Sequence, residues 1–322
     1  MHTPDNLLFW ILFLVFVVLM LGLDLWLLKR ETKPMSLRSA LLWTVLWVGM
    51  AAGFGVLVYF YGQQMTGSTV SNRRLALEFT TSYLVEESLS IDNLFLFLLI
   101  FRVFKVPQQF QRKALLWGIF GAIVMRGIFI AAGVALLNRF HWVSYIFGAV
   151  ILYAGFKLLF QNDTEQNPAE TFLVRFARRH LRFTNEFANG SFTVVRNGVR
   201  SFTMLSLVLL VVETTDLVFA VDSIPAVLAV TRQPFIVFTS NVFAILGLRA
   251  LYFALAGLMD LFHLLHYGLA AILLLIGVKM LGSDFFEIPI IYTFAMIVLA
   301  LGTTIVLSLV KRPRPAQQRS TS

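Results

Sequence analysis

The sequence predicts an all-α, polytopic membrane protein: a single bundle of about nine transmembrane helices containing an inverted three-plus-three helix repeat. Three observations carry this expectation. Of the 322 residues, 58% are hydrophobic and 13% charged, against about 45–50% apolar and about 25% charged in a soluble domain. The apolar residues fall in runs of twenty or more, the length a helix needs to cross a hydrocarbon core of about 30 Å. Two stretches of the chain also resemble each other in a way that three consecutive helices would explain.

In chain order the expected spans are 7–28, 40–61, 75–101, 114–138, 142–160, 202–230, 235–259, 264–282 and 288–310. Before the first, Met1 to Asn6 holds no Lys or Arg, and no small-residue cleavage site follows it. It is therefore expected to stay as a span rather than leave as a signal peptide. Loop charge sets the orientation. If the N-terminus is outside, the cytoplasmic segments hold eighteen Lys and Arg and the outer loops only Arg73, Arg74, Arg139 and Arg232. The expected address is the bacterial inner (plasma) membrane, N-terminus outside and C-terminus cytoplasmic. The net charge of +9 then serves topology. Its dispersal over four loops argues against a nucleic-acid partner. The one long loop, about 161–200, opens with QNDTEQNPAE, and its FLVRFARRHLRF segment reads as a short amphipathic helix on the inner leaflet. The tail KRPRPAQQRS reads as a disordered end.

The repeat is visible by eye. Tyr145 to Leu159 (YIFGAVILYAGFKLL) aligns with Tyr267 to Leu281 (YGLAAILLLIGVKML) at a spacing of 122, pairing Gly155 with Gly277 and Lys157 with Lys279. Arg126 matches Arg249 at 123, and Asp92-Asn93-Leu94-Phe95 matches Asp216-Leu217-Val218-Phe219 at 124. Repeat 1 is thus expected at about 75–160 and repeat 2 at about 202–282. Three helices per unit is odd, so the second copy must enter the membrane from the opposite side, with the substrate site where the copies meet.

Seven of the seventeen Asp and Glu lie on the third and sixth spans: Glu78, Glu86, Glu87 and Asp92 on one, Glu213, Asp216 and Asp222 on the other. Leaving out Glu78 near the outer end, six charges at the bilayer centre would cost on the order of 15–20 kcal/mol on insertion scales. A total stability of about 5–15 kcal/mol cannot carry that uncompensated. Arg126 and Arg249 lie mid-span as charge partners for two of the acids, while Lys157 and Lys279 are expected to snorkel to the interface. About four acids remain, to be neutralised by protonation or by a bound cation.

The local sequence supports a cation. Pro225 is expected to kink the sixth span and free the carbonyl of Val221 beside Asp222. Glu86, Ser90 and Asn93 share a face at i, i+4 and i+7. Asp92 points about 120° away from Glu86, as Asp222 does from Asp216. Either the helices unwind locally or the acids form several stations, with Glu213 one station and Asp92, Asp216 and Asp222 a central site. Asn241 and Ser240 could complete a coordination shell, although a helix–helix hydrogen bond is the plainer expectation. Asp24 reads as an interfacial ion pair with Lys29 or Arg30. All candidate ligands are oxygen: the five histidines lie outside both acidic spans and there is no cysteine. Oxygen-only sites suit Mn²⁺, Mg²⁺ or Ca²⁺.

At YLVEESLSIDNLFLF (83–97), ETTDLVFAVDSIPAV (213–227), TSNVFAILGLRALYF (239–253) and GVKML (277–281) the chain resembles the TerC family of membrane proteins, and within it the Alx-like branch, over nearly its whole length. The resemblance implies a nine-span fold and manganese handling, above all Mn²⁺ efflux. It places the family's important acids at Glu86, Asp92, Glu213, Asp216 and Asp222, and leaves Glu87 aside. The expected function is therefore a divalent-cation transporter, with the bilayer, the cation and exchanged protons as partners and no organic cofactor. Its metal residues are Glu86, Asp92, Asn93, Glu213, Asp216 and Asp222. The rival is a membrane-protein insertion or exoenzyme-metalation partner, a role some relatives are implicated in. An intramembrane aspartyl protease would need glycine beside its catalytic Asp, and neither Asp92 nor Asp222 has one, so no enzyme and no catalytic residue is expected.

Overall fold

Apolar runs of this length have one way to satisfy their backbone without water, which is to bond it within a helix. The computed structural model describes residues 4–30, 36–140, 142–160, 179, 182–184, 186–196, 199–256, 264–282, 285 and 288–310, with the side chains of 4–6, 24–30, 92, 95, 196, 199 and 265 outside that description. Among the described residues nine α-helices follow the expected spans: α1 Pro4–Arg30, α2 Leu37–Thr66, α3 Asn72–Val103, α4 Gln108–Arg139, α5 Val143–Phe160, α6 Met204–Leu228, α7 Pro234–Ala256, α8 Leu265–Leu281 and α9 Ile290–Val310. Six of them, α2, α4, α5, α6, α7 and α9, are long and apolar enough to cross a membrane; α3, with its acids, is not one of these. The protein is all-α and polytopic.

Local signals set the ends. Ser36 caps α2 by accepting from the Ser39 N–H, and Gly67 closes it at φ 63°, donating to Gln63, the left-handed stop that glycine takes without a Cβ clash. Asn72 then ties α3 back to α2: its carbonyl accepts from the Gln63 N–H at 2.7 Å and its amide donates to Phe60 at 2.9 Å. Pro225 is placed near the other end of its helix. It lies in the last turn of α6, which remains helical through it to Leu228.

α3 is the hub, packing on α2, α6, α7, α8 and α9; α4 lies across α6 and α7. An aromatic cluster of Phe13, Phe54, Phe79, Phe235 and Phe243 joins α1, α2, α3 and α7. The large side chains left exposed concentrate on α1, α2 and α9, as expected of surfaces that face lipid. α5 and α8 approach through glycines. A Cβ on Gly148 would strike Leu281, one on Gly155 would strike Leu274, and one on Gly277 would strike Leu152. The contacted number falls as the first rises, so the two helices run antiparallel.

Most of the amphipathic segment expected at 172–183, the Asp24 side chain and the tail from 311 onward fall outside the described residues. The rest of the long loop holds an element the sequence reading passed over: strands β1 Thr193–Arg196 and β2 Val199–Phe202, paired antiparallel. From this loop Phe187 stacks on Phe110 and Phe192 meets Trp117 edge-to-face, both on α4, and Lys113 donates to the Gly190 carbonyl at 2.7 Å. The loop therefore closes the end of the bundle where α4 and α6 begin.

Candidate cation site

Three helices deliver one charged side chain each to the centre of the bundle. Arg126 of α4, 1% exposed, donates from Nη1 to Glu86 of α3 at 2.6 Å and from Nη2 and Nε to the two carboxylate oxygens of Asp216 of α6, at 3.0 and 3.3 Å. The fork on Asp216 is the bidentate geometry a guanidinium offers a carboxylate. Both carboxylates are buried, Glu86 at 0% exposure, and Glu86 Oε1 has no hydrogen-bond partner. Two carboxylates against one guanidinium leave the triad with a formal charge of −1. Desolvation makes such a buried charge costly unless something further pairs with it.

The other acids are arranged along the same helices. Glu213, about a turn from Asp216, lies over α4 at Gly121, where a Cβ would overlap its carboxylate. Glycine at that position is what makes room for the acid. Asp222 is half-buried on α6, six residues and thus about 9 Å along the axis from Asp216. α6 is unbroken between them, so its acids are spaced along one continuous helix. Asn93 is buried one turn beyond Ser90; Asp92 occupies the next helical position, its side chain outside the described residues. Arg249 is buried on α7. Among the described residues no three His, Cys, Asp or Glu side chains converge closely enough to hold a metal by themselves.

Two groups at the end of the bundle where α3 begins are held by partners. Glu78, set aside as peripheral, is buried; it accepts from Arg74 Nε at 3.1 Å and from the Thr231 hydroxyl at 2.6 Å. Lys279, expected to snorkel, donates to Thr293 at 3.1 Å. Together with Arg232 and Gln233 they line a cavity of about 330 Å³. The i, i+4 spacing of Arg74 and Glu78 was the available sequence signal. Lys157 is exposed, in keeping with a snorkelling role.

Residues 71–316 match the model of the family described as integral membrane protein TerC. A Salmonella typhi protein named "Putative membrane-bound redox modulator Alx" is 45% identical over 309 residues, covering 96% of each chain. The protein of the same name from Escherichia coli strain K12 is 43% identical over 320 residues, 99% of each chain. A membrane protein of Myxococcus xanthus is 44% identical over 302 residues, 94% of this chain and 92% of its own. No solved structure matches.

Proposed function

Because the chain belongs to the TerC family of integral membrane proteins, we propose that it is a divalent-cation transporter that carries Mn²⁺ out of the cytoplasm across the bacterial inner membrane. The observation that carries this reading is the buried Glu86–Arg126–Asp216 triad, with its formal −1 charge and its unpartnered Glu86 oxygen. In a dry helix bundle that arrangement accepts a cation and rejects an oxyanion. Oxygen donors suit a hard ion such as Mn²⁺. Without an ion, Arg126 holds the two carboxylates; an arriving ion competes for the same oxygens. Glu213 and Asp222 extend the route along α6, and the Glu78 cavity opens it at the end where α3 begins.

Alternating access follows from the inverted repeat, which is part of the proposal. The antiparallel α5 and α8 support it, because Gly155 meets Leu274 while their repeat equivalents, Gly277 and Leu152, meet in return. Carboxylates that lose a metal ion take up protons, so Mn²⁺/H⁺ exchange is the coupling proposed. The redox role in the relatives' names would be indirect here, since the chain has no cysteine to carry a thiol change.

The test is Mn²⁺ efflux from metal-loaded proteoliposomes, with and without an opposing proton gradient. The wild type should release Mn²⁺ faster with the gradient, and Asp216→Asn should release none above empty liposomes. Release that ignores the gradient would remove the proton coupling. A wild type that neither moves nor binds Mn²⁺ would remove the transporter reading and favour an insertion or metalation partner.

A further inference from the structure

Among the described residues, Asn241 of α7 is a buried amide with neither of its polar atoms satisfied: it is 1% exposed, and neither its amide oxygen nor its amide nitrogen has a hydrogen-bond partner. Its neighbours behave as polar residues in an apolar helix ordinarily do: the Thr239 hydroxyl donates to the Phe235 carbonyl at 2.7 Å, and that of Ser240 to Val237 at 3.1 Å. Asn241 makes no such bond, nor the helix–helix bond expected of it. Buried amides are rarely left this way, because the lost hydration is not repaid.

The helix register shows what it faces. Phe238, Asn241 and Ile245 share a face at i, i+3 and i+7. Phe238 is the group a Cβ on Gly127 of α4 would meet, at 3.3 Å, and Ile245 packs with Ile119 and Ala122 of α4. Residue numbers rise on α4 as they fall on α7, so Asn241 lies along α4 between Ala122 and Gly127, the stretch that carries Arg126. α7 also packs along α3. On α3, Ser90 shares a face with Phe101 at i+11, as Asn241 does with Tyr252 on α7, and the rings of Phe101 and Tyr252 meet at 5.6 Å. That face carries two further unpartnered oxygens, Glu86 Oε1 and, one turn on, Ser90 Oγ.

We propose that Asn241 is a ligand residue for the transported divalent cation, its amide oxygen meeting the ion from α7 while Glu86 Oε1 and Ser90 Oγ meet it from α3. This rests on the transport reading above and assigns that site its neutral ligands. The chemistry is consistent: a hard cation takes amide and hydroxyl oxygens as well as carboxylates. The triad already has a formal charge of −1, and an amide supplies a further oxygen without adding another, so the ion is held and can still leave. A purely structural asparagine predicts the opposite sign of effect on stability, which makes the two roles separable.

The experiment uses the full chain in lipid nanodiscs, with Mn²⁺ binding read by calorimetry and by the electron paramagnetic resonance signal of the free ion. Wild type, Asn241→Leu, Asn241→Asp and, as a control, Ser240→Ala are compared, each also melted without metal. Asn241→Leu should weaken Mn²⁺ binding at least tenfold while its metal-free Tm stays level or rises, since an unpaired amide has been replaced by a hydrocarbon of similar size. Asn241→Asp should bind at least as tightly as wild type but release Mn²⁺ more slowly from proteoliposomes, and Ser240→Ala should match wild type in both readouts. If Asn241→Leu binds Mn²⁺ as wild type does, the assignment is wrong and the transport reading stands. If it lowers the metal-free Tm or fails to fold, Asn241 is structural and the assignment is equally wrong. If wild type itself binds no Mn²⁺, both fall together.

Discussion

Arg126 makes two carboxylates tolerable in the middle of an apolar bundle, and its value there is conditional. Removing one partner of a buried ion pair typically costs about 3–5 kcal/mol, because a charge is left behind without compensation. Arg126→Gln leaves both Glu86 and Asp216 uncompensated. The metal-free protein should therefore melt well below wild type. If Mn²⁺ binds as proposed, the same substitution removes its competitor for the carboxylate oxygens, so saturating Mn²⁺ should raise the Tm of Arg126→Gln by more than it raises that of wild type, a stabilisation that grows with affinity. Thermal melts in nanodiscs with and without Mn²⁺ measure both quantities, and equal metal-free stability would show that the triad is not the counter-ion network. Arg126→Lys should fall between the two, because an ammonium keeps the charge but cannot fork across both oxygens of Asp216.

At the scale of whole helices, glycine decides where acids and neighbours fit. At Gly121 on α4 a Cβ would overlap the carboxylate of Glu213, which is the movable end of a side chain and not backbone. Gly121→Ala should therefore fold with little loss of Tm while displacing Glu213, and its Mn²⁺ flux should drop several-fold; unchanged flux would remove Glu213 from the route. At Gly155 and Gly277 the added carbon would meet a backbone nitrogen as well as a leucine, so substitution there should cost stability at both positions alike. Helices of this kind were legible in the sequence because apolar length and punctuation such as Gly67 and Pro107 act locally. The β1–β2 hairpin was legible too, through Asn197-Gly198 between two short runs rich in β-formers, but the aromatic and basic run before it drew attention to a helix. The acids themselves stood out as charges in apolar spans. Their pairing did not, because which carboxylate reaches Arg126 depends on the register between α3, α4 and α6, and no local spacing encodes that. The same reason hid the burial of Glu78 and the isolation of Asn241.

For the molecule as a whole, the direction of transport depends on which end of the bundle faces the cytoplasm, and the sequence offers an unusually clean way to find out. With no cysteine anywhere in the chain, any thiol introduced is the only one, so its labelling has a single meaning. The charge bias in the loops puts the α2–α3 turn outside and the β1–β2 hairpin inside. Thr69 is exposed in that turn and Val195 is 66% exposed on β1, so neither substitution disturbs buried packing. Thr69→Cys should react with a membrane-impermeant maleimide in intact spheroplasts, whereas Val195→Cys should react only after lysis. That outcome places the Glu78 cavity on the outer side and the loop packed over α4 and α6 on the cytoplasmic side, so that Mn²⁺ leaving the cell passes from the closed end toward the cavity. The reverse pattern would invert the bundle and, with it, the direction assigned to the cavity and to the cap. Labelling of both positions in intact cells would mean that the two segments share a side, which an odd number of spans between Thr69 and Val195 (α3, α4 and α5) does not allow.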